Sequence, residues 1–238
     1  MDCEEIWKKV GWAAQAHQLI KGLQKFPEES KIIIILRHSH RDKMKPNEIH
    51  RNMKLTSQGH EIAKKFGERL PINRPIRLFH SIVERCQETA NDIFAGFEKI
   101  GGIGELKGVY TPLYNIHIIP ELFLNELKKY TLLEITYRWI AGLYSSDQLT
   151  PPEIYSRNAA ECIWNQVESA PHKCIDIHIT HEILIMGMRF NWFGLPPDDK
   201  WVNFLGGFAF TFLDNYILLF DIDRLITVEI PYWWNNHR

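Results

Sequence analysis

The sequence predicts an α/β fold, a three-layer α/β/α sandwich around a mostly parallel central sheet with some antiparallel strands near the C-terminus. Residues 31–36 contain four consecutive isoleucines, an apolar run typical of a parallel strand buried on both faces. Segments with strand and helix periodicity alternate after it, as expected when helices cover both faces of a sheet. Residues 207–230 instead indicate a hairpin and a third strand.

The predicted helices begin and end at local signals. Apolar residues near the helical spacing predict the first helix, and Pro27–Ser30 ends it. Thr56 or Ser57 can cap the second helix, glycines follow the third, and Pro171 lies just beyond the fifth. The predicted helices span 4–26, 56–70, 83–97, 121–140, 154–169 and 183–193.

The predicted strands are short apolar or alternating runs between these helices. The run at 76–80 directly precedes a helix, and 174–180 alternates apolar with polar residues. Asp214 and Asn215 supply the turn of the C-terminal hairpin. The predicted strands span 31–36, 76–80, 114–119, 174–180, 207–213, 216–221 and 225–230.

The chain has 238 residues, of which 45% are hydrophobic and 24% charged, with a net charge of -1. This composition excludes disordered, collagen-like and coiled-coil classes and gives no general attraction to nucleic acid or anionic membranes. No apolar leader, spanning run or CxxC pair is evident, so we expect a cytoplasmic protein with reduced thiols. We expect one domain over 1–238, with an N-terminal helical extension over 1–30 and a cap insertion over 105–152.

Charged and imidazole side chains follow three of the predicted strands, and they are Arg37, His38, Arg41, Arg85, His181 and Glu182. In open α/β sheets, ligands bind beyond the carboxyl ends of the strands. Buried arginines need an anion, and the guanidinium fork matches phosphate oxygens. The helix that begins near Arg85 would direct its first N–H groups to the same anion. The sequence therefore predicts an anion site in which a histidine acts as nucleophile or hydrogen-bond donor.

Four motifs in one order resemble those of the histidine phosphatases, also called the phosphoglycerate-mutase-like superfamily. They are Arg37-His38, Leu55-Thr56-Ser57-Gln58-Gly59, Ser81-x-x-x-Arg85-x-x-x-Thr89-Ala90 and Thr180-His181. The resemblance spans residues 31 to about 194, and any one motif alone would be weak. It leaves out the C-terminal tail and the N-terminal helix, which we expect to pack on the domain.

The resemblance implies a phosphomonoester phosphatase in which His38 attacks phosphorus and carries a transient phosphohistidine. The acid-phosphatase branch has an additional arginine, matched by Arg41, and places the proton donor at Glu182. No cofactor is implied, and the expected substrate is a small phosphomonoester or a phosphoprotein. We expect no nucleic-acid or membrane partner. The sequence allows a homodimer and does not decide the oligomeric state. The implied phosphoryl-binding residues are Arg37, Arg41, Arg85 and His181.

The proton donor and the outcome of the reaction stay open. The mutase branch of the family places the donor in a Leu-x-Glu segment, which Leu124-Asn125-Glu126 resembles. Ser39 stands where the family has glycine, which can alter the approach of the backbone to phosphate. The alternatives are therefore phosphotransfer of the mutase type, or phosphoester binding without catalysis.

A metal site is a further alternative. His38, His40 and Asp42 fit a His-x-His-x-Asp pattern, and His178 and His181 could complete the ligand set. The neighbouring arginines would repel a divalent cation, which weakens this hypothesis. A metal-dependent hydrolase would differ from a histidine phosphatase in its sensitivity to chelators.

Overall fold

The strands of the computed structural model, which describes residues 7, 9–42, 53–197 and 201–234, belong to one sheet. They are β1 (Ile32–Arg37), β2 (Ile76–His80), β3 (Gly104–Val109), β4 (Ile175–Thr180), β5 (Gly207–Phe212), β6 (Tyr216–Asp221) and β7 (Arg224–Glu229). Their order across the sheet is β3-β2-β4-β1-β5-β6-β7. The strands from β3 to β1 are parallel, whereas β5, β6 and β7 pair antiparallel with their neighbours. The predicted fold class is confirmed.

Helices cover both faces of this sheet. They are α1 (Ala14–Leu23), α2 (Ser57–Gly67), α3 (Glu84–Lys99), α4 (Pro120–Leu127), α5 (Leu132–Ile140), α6 (Pro152–Glu168) and α7 (Glu182–Phe193). One core lies between the sheet and α1, α2 and α3, and a second core lies between the sheet and α5, α6 and α7. Within the described part of the chain, none of the helices is long and apolar enough to span a bilayer.

The central strand β1 contributes to both cores. Ile32 and Ile34 pack with α1, α2 and α3, whereas Ile33 and Ile35 pack in the opposite core. All of β1 is buried, because β4 and β5 flank it and helices cover its two faces. Burying one such side chain contributes about 1.5–3 kcal/mol, so the isoleucine run strongly favours the middle of the sheet.

The edge strand β3 was not predicted from the sequence. Its residues are mostly exposed and carry no apolar alternation, so periodicity gave no signal. Conversely, the strand predicted over 114–119 is wrong. This segment forms an isolated bridge between Ile118 and Leu149, and a short 3₁₀ helix over Thr111–Leu113 precedes it.

The helix predicted over 121–140 is two helices, α4 and α5. Thr131 accepts a hydrogen bond from the N–H of Glu134, and the Glu134 carboxylate accepts one from the N–H of Thr131. This reciprocal capping box begins a new helix inside a segment whose apolar spacing suggested one element.

The helix predicted over 4–26 is interrupted. Trp7 and Lys9 are helical, but Val10 has an extended backbone, and a 3₁₀ turn over Gly11–Ala13 then leads into α1, which ends at Leu23. Residues 1–6 and 8 lie outside the described part of the chain. The division of 1–238 into an extension over 1–30 and a cap over 105–152 stays a prediction, and β3 occupies the first residues of that cap segment.

Candidate active site

The carboxyl ends of β2, β4 and β1 lie side by side at one edge of the sheet. Arg37 at the end of β1 lies opposite Thr180 at the end of β4. The residues just beyond these ends come together, and the His38 and His181 ring centroids are 5.3 Å apart. Since α3 begins soon after β2, its first turn adds an arginine. The buried cluster at this edge consists of Arg37, His38, Arg85, His181 and Glu182.

His38 is oriented by a hydrogen bond on each ring nitrogen. Its Nδ1 lies 2.8 Å from the carbonyl oxygen of Ser39, so this nitrogen carries the proton. Its Nε2 accepts a hydrogen bond of 3.0 Å from Nε of Arg85. Burial first, and then the nearby positive charge of Arg85, lowers the pKa of His38 well below its ordinary value. His38 is therefore a neutral imidazole whose Nε2 lone pair faces the Arg85 guanidinium.

The loop after β1 contacts residues of two of the family-like motifs, which accounts for Gly59 in one motif and Thr89 in the other. A Cβ on Gly59 would collide with the carbonyl oxygen of His40, so only glycine fits at this point of α2. The Ser39 hydroxyl donates to the Gly59 carbonyl at 2.7 Å, and the Ser39 N–H donates to Thr89 Oγ1 at 3.0 Å. Ser39 thus makes hydrogen bonds through both its hydroxyl and its backbone, and α2 and α3 hold the loop beside His38.

His181 lies between Arg85 and the Ser81 hydroxyl. Its Nδ1 is 3.2 Å from Nη2 of Arg85, and its Nε2 is 3.3 Å from Oγ of Ser81. A guanidinium can only donate, so Nδ1 accepts and the proton of His181 lies on Nε2. The buried thiol of Cys86 is 3.7 Å from the same Nε2, and burial raises the pKa of Cys86 to about 12, which leaves the thiol protonated.

Glu182, the first residue of α7, forms a buried ion pair with Arg37. The distance from Arg37 Nη2 to Glu182 Oε1 is 2.7 Å. Arg37 Nη1 donates to the Val202 carbonyl at 2.8 Å, whereas its buried Nε has no hydrogen-bond partner among the described residues. Ligand atoms of His38, His181 and Glu182 lie within 4.8 Å of one another. A carboxylate and a neutral histidine are therefore available at one point.

Arg41 lies at the rim of this cluster. Its Nη1 donates to the Asp42 carbonyl at 2.8 Å and lies 3.7 Å from Sδ of Met53. Burial chiefly, with a smaller contribution from the positive charge of Arg41, lowers the pKa of both Arg37 and Arg85. The site thus concentrates three arginines, an arrangement that an oxyanion would stabilise.

The alternative proton donor, Glu126, lies in a different hydrogen-bond network. Its Oε2 accepts from the Tyr144 hydroxyl at 2.8 Å and from Nε of Arg138 at 3.2 Å. The Tyr144 hydrogen bond, reinforced by the Arg138 charge, lowers the pKa of Glu126. These partners belong to the segment between β3 and α6, whereas Glu182 lies against the two histidines.

The predicted metal pattern of His38, His40 and Asp42 is not brought together within the described residues. His40 Nδ1 lies 2.9 Å from the Thr56 hydroxyl, and His178 stacks on Phe79 within the core. Among the described residues, the group close enough to share one ion is His38, His181 and Glu182. The arginines that contact each member disfavour a cation at that point.

Two aromatic residues near the site were missed. Phe204, in the segment before β5, lies over the Arg37 guanidinium at 4.1 Å and 5.7 Å from the His38 ring. Trp12, from the N-terminal segment, contacts Phe204 edge-on at 5.7 Å. Neither residue belongs to a local motif, so no signal in the sequence indicates that they meet.

Comparison with known families agrees with the motifs. Residues 33–101 match the family described as the histidine phosphatase superfamily, branch 1, which confirms the predicted resemblance. This match covers β1, α2, β2 and α3, and thus includes Arg37, His38 and Arg85. A search of curated protein sequences found no significant match.

Solved structures share the fold at low sequence identity. A mycobacterial glucosyl-3-phosphoglycerate phosphatase is similar with a TM-score of 0.56 and 15% identity, covering 84% of this chain and 98% of that chain. A phosphoserine phosphatase from Entamoeba histolytica, in complex with 3-phosphoglyceric acid, has a TM-score of 0.54 and 15% identity, covering 85% of this chain and 98% of that chain. These similarities establish the architecture around the site.

Proposed function

We propose that this protein hydrolyses phosphomonoesters through a phosphohistidine on Nε2 of His38. The observation that carries the proposal is the neutral His38, whose Nε2 contacts Arg85 while Glu182 lies within 4.8 Å of the two histidines. The proposed nucleophile, the anion-binding donors and a carboxyl group therefore lie next to one another. The similar phosphatase folds support the same class of reaction.

In the first half-reaction, the Nε2 lone pair of His38 attacks phosphorus, and the ester P–O bond breaks. Glu182, as the carboxylic acid, gives its proton to the leaving oxygen. In the second half-reaction, the Glu182 carboxylate takes a proton from water, whose oxygen attacks phosphorus as the P–N bond breaks. Arg37, Arg85 and His181 stabilise the charge on the phosphoryl oxygens in both steps.

The ion pair between Arg37 and Glu182 would rearrange when an ester binds. Nη2 of Arg37 holds the Glu182 carboxyl group at 2.7 Å, and the buried Nε of Arg37 has no partner among the described residues. A phosphate dianion would take up Arg37 donors, including Nε, and compete with Glu182 for the guanidinium. Glu182 would then be released to face the leaving oxygen beside the bound ester.

The first test is phosphate release from an aryl phosphate by wild type and His38→Ala, with and without EDTA. We expect the variant to lose at least about 10³-fold in kcat, because the nucleophile is removed. The matched control is His172→Ala, since His172 is an exposed histidine paired with Glu29. EDTA should leave wild-type activity unchanged. An active His38→Ala variant, or activity abolished by EDTA, would contradict the proposal.

The assignment of the proton donor has a separate test with two esters. In Glu182→Gln, alkyl phosphate hydrolysis should fall by about 10²-fold or more, because the alkoxide needs a proton. With p-nitrophenyl phosphate, which has a good leaving group, one equivalent of nitrophenolate should appear rapidly before slow turnover, because the phosphohistidine lacks its general base. Glu126→Gln should behave like wild type with both esters. The reverse pattern would assign the role to Glu126.

The acid-phosphatase subtype, phosphoprotein substrates and a homodimer stay predictions, as do the cytoplasmic location and the lack of nucleic-acid or membrane partners.

A further inference from the structure

Three aromatic rings form a continuous cluster beside the site, which we call the aromatic wall, and they belong to Trp12, His40 and Phe204. Trp12 stacks on His40 with ring centroids 5.1 Å apart and an interplanar angle of 16°. Phe204 meets His40 edge-on at 4.9 Å and Trp12 edge-on at 5.7 Å. All three rings are only partly buried, whereas the neighbouring Ala13 and Leu205 are fully buried.

The aromatic wall begins beside the groups that handle the leaving oxygen. Phe204 lies on the face of the Arg37 guanidinium at 4.1 Å, and the same guanidinium bonds Glu182 at 2.7 Å. The Phe204 ring is also 5.7 Å from the His38 ring. Because Glu182 protonates the leaving oxygen in the proposed reaction, the group attached to that oxygen would extend past Phe204.

Hydrogen bonds from two sides position the segment that carries Phe204. The Gln15 side chain donates to the Trp201 carbonyl and accepts from the N–H of Asn203, both at 2.8 Å. On the other side, the Arg37 N–H donates to the Gly206 carbonyl at 2.8 Å. A Cβ on Gly206 would displace the Gln15 amide oxygen, so glycine at this position keeps the Gln15 contact in place. The N-terminal helix therefore does more than pack on the domain, since it holds one side of the site.

We propose that the aromatic wall is a leaving-group subsite that selects aryl phosphomonoesters, in which an aromatic ring is bonded directly to the ester oxygen. This inference rests on the proposed function. Aromatic rings attract one another in stacked and edge-on arrangements beyond their apolar burial. Phe204 is adjacent to the phosphoryl-binding Arg37, so a ring attached directly to the ester oxygen can reach it. Rings further from the oxygen would lie beyond Phe204, toward Trp12.

The test measures binding of two phosphonates that differ in the aromaticity of one ring, phenylphosphonate and cyclohexylphosphonate. Titration calorimetry with wild type, Phe204→Leu, Trp12→Leu and the control Tyr232→Leu requires no turnover. Tyr232 is an exposed aromatic residue in the C-terminal segment. We expect wild type and the control to bind phenylphosphonate about tenfold more tightly than cyclohexylphosphonate. Both wall variants should reduce this ratio to about twofold or less.

Methyl phosphate hydrolysis separates failure of the subsite from failure of the proposed function. If wild type hydrolyses methyl phosphate but binds both phosphonates equally, the aryl subsite is wrong and the phosphatase stands. If Phe204→Leu and Trp12→Leu keep the full phenyl preference, another surface selects the leaving group and the inference is overturned. If wild type binds phosphonates but hydrolyses no ester, the proposed function fails. Loss of the phenyl preference in both wall variants, with the preference kept in Tyr232→Leu, supports the subsite.

Discussion

Two buried arginine–carboxylate pairs each include one residue of α7. They differ in how many guanidinium nitrogens bond the carboxylate. Arg189 binds Asp221 through two parallel hydrogen bonds, Nε at 2.9 Å and Nη2 at 2.8 Å. Its Nη1 lies 3.2 Å from Sδ of Met186. Arg37 instead meets Glu182 through one nitrogen, and its Nε has no partner among the described residues. The first pair joins α7 to β6, and the second lies at the edge of the sheet that carries the candidate site.

This difference predicts that the Arg189–Asp221 pair is structural and that the Arg37–Glu182 pair takes part in the proposed reaction. A buried bidentate pair satisfies the carboxylate and most of the guanidinium, so nothing is left to bind a ligand. Arg77 and Asp176, which join β2 and β4, follow the same pattern with contacts of 2.7 and 2.6 Å. Arg37 keeps one buried donor, Nε, without a partner among the described residues, and it lies next to His38, the proposed nucleophile. Incomplete satisfaction of a buried cation thus identifies the group that an oxyanion would complete.

The largest effect is expected from breaking the structural pair. Arg189→Met leaves the buried Asp221 carboxylate without its partner, so stability should fall by about 3–5 kcal/mol. Urea unfolding measures this loss, and the double variant Arg189→Met/Asp221→Leu should recover most of it. Phosphatase activity per folded molecule should stay within about threefold of wild type. A large activity loss in the folded variant would show that this pair belongs to the site.

Arg37→Met should show the opposite result, with a large loss of activity and a small loss of stability. Loss of a donor to the phosphoryl oxygens should lower kcat/KM by about 10²–10³-fold, or about 3–4 kcal/mol of transition-state stabilisation. Stability should fall by less than about 2 kcal/mol, because Glu182 lies in the first turn of α7, where the helix dipole stabilises a carboxylate. Steady-state kinetics and urea unfolding of the same preparation test both parts. A stability loss equal to that of Arg189→Met would remove the distinction.

The smallest expected effect is the contribution of His178 to the pH dependence of the free energy of unfolding. Both of its ring nitrogens are buried and lack hydrogen-bond partners within the described part of the chain, and burial lowers its pKa from 6.5 to about 4. The unfolded chain therefore binds a proton before the folded one, and stability falls as pH drops from about 6.5 toward 4. The loss between about pH 8 and pH 5 should be roughly 2 kcal/mol.

The measurement compares urea unfolding of wild type and His178→Phe at these two pH values. The phenylalanine can stack on Phe79 as His178 does, at 4.6 Å, but has no group to protonate. The variant should therefore lose this component of the pH dependence, whereas the exposed-residue control His172→Ala should keep it. An identical pH slope in His178→Phe would show that His178 does not titrate with unfolding.

The elements that the sequence predicted well are those whose signal is local and strong. The isoleucine run of β1 and an N-cap at Thr56 or Ser57 depend only on neighbours in the chain. The structure confirms the buried strand and places the cap at Thr56. The exposed edge strand β3 has no apolar pattern, so its strand state depends on pairing with β2. The boundary at Thr131 was missed because helical spacing continues across a cap.

The residues of the candidate site likewise fall into those that local motifs predict and those that only tertiary packing brings together. His38, Arg85 and His181 follow strand ends in short motifs, and parallel pairing of β1, β4 and β2 brings these ends together. The aromatic residues Trp12 and Phe204 are almost two hundred positions apart in the chain. No periodicity or motif reports a contact over that separation, because it depends on how the N-terminal helix docks.

Residue order specified the layered α/β architecture, the buried central strand and the types of residue at the carboxyl edge of the sheet. It did so because hydrophobic periodicity and strand-end motifs act over a few neighbouring residues. Packing in three dimensions decided which carboxylate lies beside the histidines, which arginine keeps an unused donor, and which aromatic rings border the site. Those outcomes depend on distances between elements that are remote in the chain, where burial and hydrogen bonding select one arrangement among many.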